Sequence, residues 1–158
     1  MMDDFIFALT LVSALGCGLI AGAFFAFSTF VMKALARLPG AQGIAAMQSI
    51  NVVVINPWFM TALFGTALAC VAAAVISLFE WDEPESIYRL VGGVLFLVGT
   101  ILVTIAFNVP RNDALAATDP EGDDSADLWR RYIREWTTWN HVRTAAALAA
   151  AALFTVAL

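Results

Sequence analysis

The chain has 158 residues, of which 61% are hydrophobic and 13% charged, against about 45–50% and about 25% in ordinary soluble domains. Most of it falls in long apolar runs that leave little chain for a soluble domain, and the net charge of −5 gives no reason to expect a nucleic-acid partner. The composition is that of a small polytopic membrane protein.

The first apolar run, Phe5–Met32, is longer than the core of a cleavable signal peptide and follows Met-Met-Asp-Asp, acidic where such a signal is basic. Gly18-Leu-Ile-Ala-Gly22 within it is a small-xxx-small pattern suited to close helix packing, within one chain or between copies in a homo-oligomer. Leu38-Pro-Gly-Ala-Gln-Gly43 marks a turn, after which Ile44–Ile50 reads as a short helix at the membrane surface. The second run, Val52–Phe79, contains Asn56-Pro57. Asparagine caps a helix whose first residue is proline, so the crossing is expected to start there. The loop Glu80-Trp-Asp-Glu-Pro-Glu-Ser carries four carboxylates. A third run, Leu90–Phe107, ends at Asn108-Val-Pro-Arg-Asn112, where Pro110 is expected to stop or kink the helix and free carbonyls that need other donors. After the acidic linker Asp119-Pro-Glu-Gly-Asp-Asp, Ser125 and Asp127 start a new helix. Leu128, Trp129, Tyr132, Trp136, Trp139 and Asn140 recur on it at three- and four-residue intervals, an amphipathic stripe leading into the last apolar segment, Trp139–Leu158.

Each run is close to or above the ~18–20 residues that cross about 30 Å of hydrocarbon. The expected architecture is a single all-α integral membrane domain, a four-helix bundle with spans at about 5–32, 57–79, 90–108 and 139–158 and a cytoplasmic amphipathic helix leading into the fourth span. Lys33 and Arg37 lie in the first loop, Arg89 in the second, and five arginines between Arg111 and Arg143. The positive-inside rule then puts loops one and three in the cytoplasm and both termini outside, most simply in a bacterial inner membrane.

The fourth span raises the question of chemistry. Counting back from Leu158 places Trp139 at the inner edge of the hydrocarbon and Asn140, His141 and Arg143 inside it. Snorkelling to the headgroups is the plain explanation of Arg143, but Trp136, Asn140 and Arg143 fall on one helix face. The topology brings Asn51, Asn56, Asn108 and Asn112 to the same side of the membrane. These groups are expected to face one another, because lipid cannot satisfy them. Each also has a structural explanation: Asn56 as a cap, Asn112 as a helix end, the tryptophans as interface anchors, His141 as a hydrogen-bonded side chain. Cys17 and Cys70, on different spans, read as packing residues rather than a disulfide or metal pair.

At Asn108-Val-Pro-Arg-Asn112-Asp-Ala-Leu and Trp139-Asn-His-Val-Arg143, with Phe24-Phe-Ala-Phe-Ser28 and Ala46-Met-Gln-Ser-Ile-Asn51, the sequence resembles the anthrone oxygenase-like family of small four-span membrane proteins. Arg111 departs from the apolar residue expected at that place. The resemblance implies oxidation of an anthrone or another planar hydrophobic molecule without an evident cofactor. Such a reaction needs a base, donors for a developing oxyanion and a water-poor pocket. His141, the side chain that titrates near neutrality, is the candidate base. Arg143, Asn51, Asn108, Asn112 and Asn140 are candidate donors to substrate oxygens, and Trp136 and Trp139 candidate faces for its rings. One histidine and two scattered thiols do not make a di-iron or three-histidine copper site, and no glycine-rich strand–turn–helix suggests a nucleotide cofactor; neither metal nor cofactor is expected. A non-catalytic membrane subunit or assembly factor with a structural polar cluster, and a transporter, remain the competing classes.

Overall fold

A computed structural model describes residues 2–158. Among the described residues every regular element is helical: α1 Met2–Leu35, α2 Gly40–Val53, α3 Pro57–Phe79, α4 Ser86–Ala116 and α5 Ser125–Val156. Helices α1, α3 and α4 are long and apolar enough to cross a membrane. The expected fourth crossing is not among them, since Asn140, His141 and Arg143 dilute the apolar half of α5.

The local signals explain the joints. Asn56 caps α3 in extended conformation, its side-chain oxygen accepting from the Phe59 amide at 3.0 Å, with Pro57 in the first turn. At the far end of α3 the acidic loop folds back on α4. There the Ser86 hydroxyl donates to the Glu80 carbonyl at 2.6 Å, and buried Arg89 reaches the Glu80 carboxylate at 3.2 Å. The cation counted in the second loop is thus neutralised inside the protein.

Helix α4 passes through Pro110. The helix does not stop at Asn108–Asn112 but continues to Ala116. Two π-helical stretches, Leu97–Leu102 and Thr104–Asn108, precede the proline, and these wider turns let a residue without an amide hydrogen enter the next turn. Nearby, the Phe107 carbonyl accepts from Nη1 of Arg111 at 2.7 Å. Arg111 is anchored in turn to Glu135 at 2.9 Å.

Helix α1 packs against α3 and α5, and α4 packs against α3 and α5. The pairing of α4 with α5 is antiparallel, from Asn108 beside Trp136 at one end to Gly92 beside Phe154 at the other. Close approach rests on small residues, as in other membrane helix contacts. A Cβ on Gly16 would overlap Thr66, and one on Gly99 would overlap Ala146. By contrast, Gly18 and Gly22 have open space around them, so that pattern is not used within the chain.

Two apolar cores result. One joins Cys17, Ile20, Phe24, Cys70, Phe96 and Phe154 between the long helices. The other joins Met32, Ile44, Met47, Leu115, Trp129 and Tyr132 where α2 covers the near ends of α1, α4 and α5. Each large side chain that leaves water in this second core contributes about 1.5–3 kcal/mol. Polar residues lie between the two cores.

Candidate functional site

The polar layer is built on π turns. Besides those in α4, α1 has one at Phe27–Val31, and the three stretches carry Ser28, Thr100, Thr104 and Asn108, all buried or partly buried. Single π turns inside α-helices occur frequently at functional sites because they rotate side chains out of register. Here they aim hydroxyls and an amide at α5.

Arg143 is at the centre and is only 4% exposed. Its Nη2 donates to Oδ1 of Asn140 at 2.6 Å and its Nη1 to Oγ1 of Thr104 at 3.1 Å. The guanidinium carbon lies 4.1 Å from the Phe24 ring centroid and 5.1 Å from that of Trp136. Both rings lower the cost of a buried cation through their quadrupoles. No carboxylate reaches Arg143 among the described ion pairs, and its Nε has no hydrogen-bond partner.

Asn140 is fully buried and ties α5 to α1: Nδ2 donates to the Phe24 carbonyl at 2.7 Å and to Oγ of Ser28 at 2.8 Å. Thr144 extends this link, its hydroxyl 3.1 Å from that of Ser28. Asn108, one turn along α4 from Thr104, donates to the Trp136 carbonyl at 3.2 Å and keeps a buried Oδ1 with no donor. An unpaired donor on Arg143 of α5 and an unpaired acceptor on Asn108 of α4 thus belong to one cluster, joined through Trp136.

Toward the second core the network continues through Asn112, whose Oδ1 accepts from the Tyr132 hydroxyl at 2.9 Å and from Nε1 of Trp136 at 2.8 Å. Burial pushes the Tyr132 phenol well above its ordinary pKa, opposed in part by the adjacent Asn51 amide and by the charge of Arg143, so Tyr132 is a neutral donor at physiological pH. Asn51 stands half-buried with no well-formed bond at Nδ2. Gln48, from α2, donates to the Leu115 and Thr118 carbonyls at 2.8 and 2.9 Å and satisfies the end of α4.

The structure therefore brings together Arg143, Asn140, Asn108, Asn112 and Trp136, with Asn51 at the edge. It does not bring His141 or Trp139 to the centre. His141 is exposed, about 200° around the helix from Arg143. Trp139 is half-buried, with its face taken by Phe107 at a centroid distance of 3.5 Å and 8° between planes. The hydrogen bonds of Arg143 go to side chains. Ser28, Thr100, Thr104, Phe24 and Tyr132 complete the cluster without having been singled out as site residues. Their signals were present: Thr100, Thr104 and Asn108 repeat every four residues within the third span, and Tyr132 lies on the aromatic stripe of α5.

A cavity of about 560 Å³ opens elsewhere, at the acidic α4–α5 connection around Asp119, Asp123 and Arg131, and none of the cluster lines it. Among the described residues no three His, Cys, Asp or Glu side chains converge on a common point.

No curated protein and no solved structure matches the chain. The family model for anthrone oxygenase does, over residues 56–153, a match that starts at the cap of α3 and takes in all the α4 and α5 residues of the polar layer. With more than half its length matched and the layer inside that half, the chain belongs to the anthrone oxygenase family.

Proposed function

We propose that this chain is a membrane-embedded oxygenase that binds the oxyanion of a planar, lipid-soluble aromatic ketone at Arg143 and lets the bound enolate react with dioxygen without a cofactor. The observation that carries this reading is the guanidinium itself: buried, flanked by Phe24 and Trp136, and without a carboxylate partner among the described residues. An isolated buried cation is costly, and an anionic ligand oxygen offsets that cost only while it is bound. Unfilled capacity at Nε of Arg143 and Oδ1 of Asn108 suits a ligand that presents an acceptor and a hydroxyl donor together.

For an anthrone, the proton between the two aryl rings passes to a water or hydroxide at the membrane surface, to be returned to the peroxide formed later, and leaves an enolate whose negative oxygen rests on Arg143. Electron transfer to dioxygen and C–O bond formation give a hydroperoxide, and loss of water leaves the quinone. One anthrone and one dioxygen become one anthraquinone and one water. Arg143, supported by Asn140 and Thr104, stabilises the charge that develops, and stabilisation of this kind usually lowers the barrier more than any other single effect. His141 faces away from this layer and is not assigned the proton transfer. The test is turnover in lipid nanodiscs: wild type should consume anthrone and dioxygen in equal amounts, and His141→Ala should be undiminished. If wild type neither turns over anthrone nor binds it saturably, the layer is structural and the reading fails.

We further propose that α5 is the fourth span of a four-helix bundle with both termini outside. Its apolar half lies against α4 from Asn108–Trp136 to Gly92–Phe154, so where α4 is in the bilayer α5 is beside it. The Lys and Arg of loops one and three favour the cytoplasm. Single cysteines placed at Glu83 and Asp123, in a chain whose own cysteines are replaced by serine, should be distinguishable in intact cells, with only the first labelled from outside. Labelling at Asp123 alone would invert the orientation.

A further inference from the structure

We propose that Cys17 and Cys70 are an oxidisable dithiol that closes to an intramembrane disulfide, stapling α1 to α3. The inference does not rest on the proposed oxygenase activity. The sulfurs are 3.7 Å apart although the residues are 53 positions apart in the chain, and both side chains are fully buried in the core between the long helices. Neither belongs to the polar layer: Cys17 precedes Phe24 by two turns of α1, about 10 Å along the helix. They are the only cysteines in the sequence, so the pair has no competing thiol partner within the chain.

Helices α1 and α3 are already at close approach beside the pair: a Cβ on Gly16, next to Cys17, would overlap the Thr66 side chain of α3. An S–S bond is about 2.05 Å long. Each sulfur therefore has to move by less than ~1 Å along the line joining them.

The oxidant is a small neutral hydroperoxide, which enters an apolar core as charged reagents do not. One thiol sulfur attacks the peroxide, the O–O bond breaks, and the alcohol leaves with the thiol proton while a sulfenic acid forms. The second sulfur then displaces the sulfenic oxygen, which departs as water with the second thiol proton, and the S–S bond forms. Two thiols and one hydroperoxide give one disulfide, one alcohol and one water, with two electrons passing from sulfur to the O–O bond. Burial in the apolar core makes this slower than at an exposed cysteine. The same surroundings shield the product from charged reductants.

The protein in nanodiscs is treated with tert-butyl hydroperoxide, denatured in the presence of a maleimide, and its intact mass and peptide map are measured. The expected product is lighter by two hydrogens, carries no maleimide and links the peptide containing Cys17 to that containing Cys70. It should resist the charged phosphine TCEP while folded and be reduced once denatured. Its melting temperature should rise by several degrees, a rise absent in Cys70→Ser. Two maleimide-reactive thiols after treatment, sulfinic acids without loss of hydrogen, or a cross-link between two chains would each overturn the proposal.

Discussion

Arg143→Lys, which preserves the charge, is expected to destabilise the protein by about 2–4 kcal/mol, more than any change confined to a lipid-facing side chain. The guanidinium bridges Asn140 and Thr104 through two nitrogens and lies between two aromatic rings. An ammonium has no plane to stack and, from a single nitrogen at the end of a flexible stem, does not reproduce that fork. It leaves Oδ1 of Asn140 without its charged donor in a place where water does not substitute. Unfolding by SDS titration in mixed micelles, with Val142→Ala as the lipid-facing control, measures the difference. Lysine snorkels as well as arginine, so an Arg143→Lys protein as stable as wild type would mean that the guanidinium reaches the headgroups, and the layer described above would not exist in the bilayer. Turnover or ligand binding measured on the folded fraction adds a second readout, expected to be lost because the oxyanion contact needs Nε in place.

Much of this arrangement was legible in the sequence because helical periodicity and capping are local. Asn56-Pro57 gave the start of α3, and the three- and four-residue spacing from Trp129 to Arg143 gave the buried stripe of α5. Helical geometry also puts His141 about 100° away from Asn140, off that stripe. Assigning it a proton-transfer role followed from its titration range rather than from its position, and position decides what a side chain touches. Of the stop or kink expected at Pro110, the stop does not occur: two π turns precede the proline and the helix runs on to Ala116. Such turns have no simple residue signature, so the rotation that aims Thr100, Thr104 and Asn108 at α5 was not readable, although their four-residue repeat was.

Asn140→Ala is expected to cost about as much as Arg143→Lys, again roughly 2–4 kcal/mol, and for a separable reason. Single side-chain hydrogen bonds between membrane helices average only about 0.6 kcal/mol, with a ceiling near 1.7 kcal/mol. Asn140, however, makes three at once: two from Nδ2 to α1, at Phe24 and Ser28, and one at Oδ1 from Arg143. Alanine removes all three and takes from the buried guanidinium its shortest hydrogen bond. The two contributions can be told apart by a double-mutant cycle with Ser28→Ala. Ser28 has Thr144 as a second partner, so its own loss should be mild, and the coupling with Asn140 should stay within the range of one interhelical bond. Most of the Asn140→Ala effect should then couple to Arg143 instead, because the guanidinium loses its shortest hydrogen bond. If the cycle shows the whole effect shared with Ser28 and none with Arg143, the amide serves only to hold α1 to α5. The guanidinium would then be held by Thr104 and the rings alone, too loosely to present a fixed Nε to a substrate oxygen.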